Sequence, residues 1–373
     1  MAYFEYSNCP YPIRDDIKKE FGEFWQRLAQ SGSWWTGAER VAIALESRVA
    51  VSCSFCHERK QALSPYNIAG EHESDSQLDP AAVDAVHRII TDQTRITRSW
   101  VESLPDAGIS TEAYVELAGI VVCVFSIDEF HRALGLPLEE MPEVVAGAPS
   151  HYRPAQAELG TGFVPMLPRE GLAGAEENLW PNGRNANVIR ALSLVPDALR
   201  DWLALSGAIY LSVEGMANLI GQEDRSINRM QMELIAARVS AINECFYCTN
   251  AHSSMLRASS MTTETDINLQ GVNGDQEAAT LGIKHGKELM LLGEAVATRN
   301  QVLLEKTRQK LLDEAGASVL VDAAGVAANF QRMVRIADSM GIPIDDMEND
   351  LGKSVRTELD LTHFASAANT LQQ

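Results

Sequence analysis

The stretch ELIAARVSAINECFYCTNAH, residues 233–252, combines a helical apolar pattern with two cysteines and a histidine. Cys245 and Cys248 are three residues apart and His252 follows four residues later, so a single helix would carry all three side chains on one face. If that helix begins near Cys245, both sulfurs lie in its first turn, where free amides and the helix dipole favour a thiolate. The stretch therefore predicts an all-α environment around a reactive dithiol.

Glu233 precedes Cys245 by twelve residues. This is about 18 Å along a continuous helix, too far for its carboxylate to reach the thiols. The polar segment from Ser240 to Glu244 is able to end one helix and start the next, which would bring Glu233 back against the cysteine helix. A carboxylate there would hold the imidazole as a base, directly or through a water.

This order of Glu, eleven residues, Cys-x-x-Cys, three residues and His resembles the motif of the alkyl hydroperoxidase D (AhpD) and carboxymuconolactone decarboxylase superfamily. The flanking segments 232–238 and 329–338 are also similar to that family. The resemblance is strong over about residues 188–345 and weaker over about 14–141, where it rests on an internal repeat.

The resemblance implies specific roles for the four residues. Cys248 would be the attacking thiolate, Cys245 would resolve it as a disulfide, and His252 with Glu233 would relay protons. True carboxymuconolactone decarboxylases lack the redox cysteines, so the resemblance favours reduction of a hydroperoxide, with a dithiol or lipoyl-type compound as reductant. It also implies self-association into a homo-oligomer.

Two other functions remain open from the residues alone. One is a general dithiol oxidoreductase with little peroxide activity, and the other is a non-catalytic zinc-binding or redox-responsive scaffold. Spacing permits zinc on Cys245, Cys248 and His252, but three ligands on one short helix suit a tetrahedral ion poorly and leave the position of Glu233 without a use. No metal is therefore predicted, and no flavin, haem or nucleotide motif predicts an organic cofactor.

An internal repeat sets the predicted domain organisation. Residues 115–119 align with 321–325, and the helix end Gly-Leu-Pro-Leu-Glu-Glu-Met at 135–141 falls on Gly-Ile-Pro-Ile-Asp-Asp-Met at 341–347. Each copy carries a C-x-x-C pair upstream. We therefore expect two fused helical repeats forming an internal pseudo-dimer, with a divergent repeat over 1–141, a proline-rich connector over 142–187 and the complete motif within 188–373.

Helical periodicity supports an all-α fold over most of the chain. The longest predicted helices cover 80–104, 111–134, 190–221, 275–314 and 317–340, and a last one covers 353–370. The connector is expected to pack over a surface through its aromatic residues Tyr152, Phe163 and Trp180, and a role as a lid is a hypothesis.

The first cysteine pair departs from the family pattern. Four residues beyond Cys56 lies Lys60, a poor proton shuttle near neutral pH, and Glu46 lies seven residues before Cys53 rather than at the family distance. Two interpretations stay open, a divergent thiol site that uses His87 or a half kept only for packing. The remaining histidines outside the two cysteine motifs, His72 among them, show no informative spacing.

Composition excludes several classes of function. The formal charge of −20 repels nucleic acids and anionic lipids. The longest apolar stretch, residues 120–127, is far shorter than the roughly 20 residues of a membrane span. The N-terminal residues lack the apolar core of a signal peptide, so a cytoplasmic protein is expected.

Overall fold

The computed structural model describes residues 3–180, 185–221 and 224–371. These residues form fifteen α-helices and no strand, with one isolated β-bridge between Glu158 and Met166. The predicted all-α class is confirmed. The helices are α1 (Asp15–Leu28), α2 (Gly37–Ala50), α3 (Ser54–Gln61), α4 (Pro80–Thr91), α5 (Arg98–Ser103), α6 (Thr111–Leu134), α7 (Asn187–Arg190), α8 (Pro196–Ile209), α9 (Arg229–Ile242), α10 (Phe246–Thr262), α11 (Gly286–Ala297), α12 (Gln301–Glu314), α13 (Ala317–Ser339), α14 (Asp350–Glu358) and α15 (Ala367–Leu371).

Two long helices, α6 and α13, pack against each other at the centre and are buried over almost their whole length. They run antiparallel, because Tyr114 near the start of α6 donates a hydrogen bond of 3.0 Å to the Ser339 carbonyl at the end of α13. Helix α8 packs against both of them. Its close approach requires glycine on α13, since a Cβ at Gly325 would lie 2.8 Å from the Ile209 carbonyl oxygen.

The two halves share an order of contacts. In the first, α2, α4 and α6 pack on one another, and in the second α9, α11 and α13 do the same. Each C-x-x-C pair begins the helix that follows the first member of its triplet, α3 in one case and α10 in the other. This arrangement is what a duplicated unit would give, while the duplication, the pseudo-dimer and the boundaries at 141 and 187 stay predictions.

Several predicted helices are shorter than expected. The prediction over 80–104 is wrong as one helix: α4 ends at Thr91, where Asp92 leaves the helical conformation, and α5 covers Arg98–Ser103 separately. The one over 190–221 is wrong as one helix, because residues 191–195 separate α7 from α8 and α8 ends at Ile209. Tyr210 there leaves the helical conformation, with φ −141° and ψ −96°, and its side chain is buried. The one over 275–314 begins only at residue 286 and is broken at 298–300, where Arg299 has a positive φ and the Asn300 side chain caps the next helix.

The predicted helix over 353–370 is also wrong as one element. It comprises α14, which ends at Glu358, a short 3₁₀ turn and α15, and Asp360 between α14 and the turn has a positive φ.

The connector packs on the body of the protein, as expected. Phe163 and Trp180 are buried, and the Phe163 amide donates a hydrogen bond of 2.8 Å to the Met340 carbonyl at the end of α13. Tyr152 is exposed. Residues 181–184 of the connector lie outside the described residues, and its role as a lid stays a prediction. Within the described ranges no helix combines the length and the apolar character that crossing a membrane requires.

Candidate functional site

The turn between α9 and α10 brings the predicted residues of the second half together. Helix α9 ends at Ile242, Glu244 adopts a positive φ of 51°, and Cys245 is the N-cap residue of α10. The Ser366 hydroxyl accepts a hydrogen bond of 2.8 Å from the Phe246 amide, which has no partner within the helix. The chain thus reverses where the polar segment 240–244 predicted it.

Glu233 and His252 contact each other directly. The Glu233 Oε2 atom lies 2.7 Å from the His252 Nδ1 atom, and both side chains are buried. A carboxylate can only accept, so Nδ1 carries the proton and the lone pair of the neutral imidazole is on Nε2. The contact fixes the tautomer that lets His252 act as a base.

A second pair of contacts holds Glu233 itself. Its Oε1 atom accepts hydrogen bonds of 2.5 Å from the Tyr210 hydroxyl and 2.5 Å from the Arg229 guanidinium. Burial alone would raise the pKa of this carboxyl, but Arg229, His252 and Tyr210 outweigh it and lower the pKa to about 2. Glu233 is therefore a buried carboxylate, ionised at neutral pH, that orients the His252 ring.

The two cysteines lie at the start of α10 as free thiols. Cys245 is fully buried and Cys248 is 1% exposed. Burial, followed by the neighbouring Cys248 and Asp338, raises the pKa of Cys245 well above its usual value, so this thiol stays protonated at neutral pH. Cys248 lies one turn before His252 on the same helix, but among the hydrogen bonds of the described residues none joins its sulfur to the ring.

Asp338 is a neighbour of Cys245 that the sequence did not single out. It lies at the end of the segment 329–338 that resembles the family, but its type and position alone assigned it no role. The side chain is buried and its Oδ2 atom has no hydrogen-bond partner. Burial raises the pKa of Asp338 to about 8, although Cys245 and Arg335 act in the opposite direction. A protonated carboxyl is thus placed beside the predicted resolving thiol.

Apolar rings surround the histidine. The Phe330 ring lies 4.3 Å from the His252 ring, and Tyr210 contacts it from another side.

A cleft of about 780 Å³ lies between the two halves. It is lined by Asn243 and Glu244 just before Cys245 and by Ser52 just before Cys53, but by neither cysteine pair. The second dithiol is therefore shielded from bulk solvent.

The first pair has acquired a different set of partners. Cys53 is the N-cap residue of α3, and the Cys56 sulfur lies 3.1 Å from the His87 Nδ1 atom. The His87 Nε2 atom lies 2.8 Å from Glu46, so the acid at the unexpected spacing does reach a histidine. Lys60, at the relay position of the family pattern, is exposed.

His72, which showed no informative spacing, lies over the first pair. Its Nδ1 atom is 3.5 Å from the Cys56 sulfur and 3.8 Å from the Cys53 sulfur, and its Nε2 atom is 3.0 Å from Asp84. Burial alone would raise the pKa of Cys53, but the hydrogen bond with His72, together with further hydrogen bonds from Cys56 and Glu73, outweighs it and lowers that pKa. Burial raises the pKa of Cys56 to about 12.

The two pairs differ in their ability to hold a metal. One ligand atom each from Cys53, Cys56, His72 and His87 lies within 4.8 Å of the others. Across the described ranges no comparable group includes Cys245 and Cys248. The zinc alternative considered for the second pair therefore lacks a converging ligand set.

Comparison with known proteins identifies one family. Residues 208–268 match the family model described as carboxymuconolactone decarboxylase family. The predicted resemblance is confirmed over this segment, which contains all four motif residues and also Tyr210. No curated protein and no solved structure matches the chain.

Proposed function

We propose that this chain, whose second dithiol lies in a segment of the carboxymuconolactone decarboxylase family, is a thiol-dependent peroxidase of the alkylhydroperoxidase type. The observation that carries the proposal is the 2.7 Å contact between His252 and an ionised Glu233, made one helical turn from a reduced Cys-x-x-Cys pair. This is the nucleophile, base and orienting group of covalent catalysis.

The first step uses Cys248 as the nucleophile. The Nε2 atom of His252 accepts the proton of the Cys248 thiol, either directly or through a bridging water. The thiolate attacks one peroxide oxygen, an S–O bond forms, the O–O bond breaks, and the peroxide takes up two electrons. The leaving alkoxide receives the proton from the imidazolium, giving an alcohol and a Cys248 sulfenic acid.

The second step uses Cys245 as the resolving thiol. Its sulfur attacks the sulfenic acid, an S–S bond forms, and hydroxide leaves as water. Asp338, protonated beside Cys245, would give its own proton to the leaving hydroxide and take up the proton of the Cys245 thiol. A small dithiol, lipoyl-type in chemistry, then reduces the disulfide by thiol exchange and returns both thiols. The reaction needs no organic cofactor.

Burial of the nucleophile supports a small oxidant over a protein disulfide. Cys248 is 1% exposed and Cys245 is fully buried, so a bulky disulfide has no direct approach to either sulfur. A hydroperoxide needs only a narrow path. The general dithiol oxidoreductase is the rival function, and its oxidising step would need a disulfide substrate larger than a hydroperoxide to reach these buried sulfurs.

Rapid mixing of the reduced chain with cumene hydroperoxide tests the proposal. We expect the wild type to lose two thiols per chain rapidly. Cys248→Ser should not show this loss, whereas Cys9→Ser should show it as the wild type does, because Cys9 lies far from both pairs in the sequence. Faster reaction of the wild type with a model disulfide than with the peroxide would instead favour the rival oxidoreductase. No reaction with either compound would contradict a redox function.

A further inference from the structure

The first cysteine pair has the geometry of a closed metal site. We propose that Cys53, Cys56, His72 and His87 bind one zinc ion in tetrahedral coordination, separately from the redox dithiol of the second half. Two thiolates and two imidazoles are a donor set that zinc favours in structural sites.

The distances agree with a tetrahedron. Zinc–ligand bonds of about 2.3 Å to sulfur and about 2.0 Å to nitrogen place adjacent sulfur and nitrogen ligands about 3.5 Å apart. The three observed sulfur to Nδ1 distances are 3.1, 3.5 and 3.8 Å. All four ligand atoms lie within 4.8 Å of one another, so a single ion at their centre reaches each of them with small adjustments.

The orientation of both imidazoles supports a metal at that centre. His72 and His87 both direct Nδ1 at the sulfurs and leave Nε2 to a carboxylate, Asp84 at 3.0 Å and Glu46 at 2.8 Å. Zinc-bound histidines commonly donate their second ring N–H to a carboxylate, which fixes the tautomer and raises ligand basicity. A redox dithiol needs one such histidine, whereas this pair has two.

Charge and burial are consistent with two bound thiolates. Both sulfurs are fully buried, and two thiolates offset the charge of Zn²⁺. The Arg59 guanidinium lies 3.7 Å from the Cys56 sulfur and 2.6 Å from Asp84, so the surrounding charges are themselves paired. Four protein ligands leave no open position, which indicates a structural rather than a catalytic ion.

The segment that zinc would fix is the long loop between α3 and α4. Residues 62–79 contain no α-helix, and His72 in this loop is the ligand that joins it to the two helices. Loops of this length without structure of their own are uncommon in compact folds unless something holds them. Zinc bound through His72 would supply that restraint.

Metal analysis of the full-length chain, purified reduced from zinc-supplemented medium, tests the proposal. We expect about one zinc per chain in the wild type and in Cys245→Ser/Cys248→Ser. Cys53→Ser and His72→Ala should each reduce the zinc content at least several-fold. His72 is the more telling variant, since it lies in a loop and its replacement leaves the helices intact, which circular dichroism checks.

Cobalt substitution gives a readout that does not depend on zinc content. Added Co²⁺ should produce the intense ligand-field bands of a tetrahedral site and sulfur-to-cobalt charge transfer in the wild type, and both should be weak in Cys53→Ser. A wild type without zinc or cobalt binding would overturn the proposal. So would zinc that persists in both first-half variants and disappears from Cys245→Ser/Cys248→Ser, a result that would also argue against the redox function of the second pair.

Discussion

Both C-x-x-C pairs lie at the start of a helix, yet the neighbouring imidazole rings have opposite orientations in the two halves. In the second half, the Nδ1 atom of His252 donates its hydrogen bond to Glu233. In the first half, His72 and His87 both present Nδ1 to the sulfurs. The number and orientation of the imidazoles, rather than the cysteine spacing, are what distinguish the proposed redox dithiol from the proposed metal site.

The largest effect expected is on the nucleophile. Cys248→Ser should abolish hydroperoxide turnover, because the sulfur that accepts the peroxide oxygen is gone. Cys245→Ser should still react once and accumulate a sulfenic acid, which dimedone labelling and mass spectrometry detect. If Cys248→Ser consumed peroxide at the wild-type rate, the assignment of the two sites would be reversed.

Replacing the orienting carboxylate should have the next largest effect. Glu233→Gln leaves the His252 tautomer unfixed and should lower peroxide turnover about 10²-fold. Arg229 would lose its charge partner in a buried position, at a cost of about 3–5 kcal/mol in the free energy of unfolding. Stopped-flow kinetics and urea unfolding measure the two effects separately. A stable Glu233→Gln variant with unchanged turnover would show that Glu233 and His252 do not relay protons in the reaction.

Removal of zinc by a chelator should lower the thermal stability of the protein only when the first cysteine pair is intact. If zinc restrains the first half, a strong chelator should lower the Tm of the wild type by several degrees, since a ligand bound only to the folded state stabilises it. The double variant Cys53→Ser/Cys56→Ser should show no chelator response. Calorimetry with and without chelator provides the measurement, and an equal shift in both proteins would contradict the assignment.

The pH dependence of stability should report on Asp338. Its pKa is about 8 in the folded chain and about 3.9 when unfolded. Between these values the folded state holds a proton that the unfolded state has lost, so this group makes the protein less stable as pH rises from about 4 to about 8. Asp338→Asn should therefore gain about 1 kcal/mol per pH unit relative to the wild type over that range. A difference that is flat across urea titrations from pH 5 to 8 would disagree with this environment for Asp338.

The smallest expected effect is at Tyr210. Tyr210→Phe removes one hydrogen bond to Glu233 while Arg229 and His252 keep theirs. The loss should be about 1 kcal/mol in the free energy of unfolding and a few-fold in turnover. A loss as large as that of Glu233→Gln would show that the hydroxyl itself participates in proton transfer.

The second site was largely predictable because its parts are close in the chain. Cys245, Cys248 and His252 follow helical spacing, and a single turn between helices returns Glu233 to them. Tyr210 could not be predicted in the same way. Tyr210 lies inside the helix predicted over 190–221. Its side chain reaches the Glu233 carboxylate because α8 ends earlier than predicted, at Ile209.

The first site depends on contacts that spacing does not encode. His72 comes from an irregular loop and His87 from α4, and they meet at the sulfurs only after α2, α3 and α4 have packed. The sequence named His87 as a partner of this pair, but it gave no role to His72 and predicted no metal. A loop histidine carries no periodicity, so no pattern of the chain reveals it.

Disulfide mapping after peroxide treatment tests the central distinction most directly. The wild type, isolated with its metal, would receive one equivalent of cumene hydroperoxide, be alkylated and be digested for mass spectrometry. We expect a Cys245–Cys248 disulfide, with Cys53 and Cys56 recovered as alkylated thiols after denaturation in chelator. A disulfide between Cys53 and Cys56, with Cys245 and Cys248 still reduced, would contradict it.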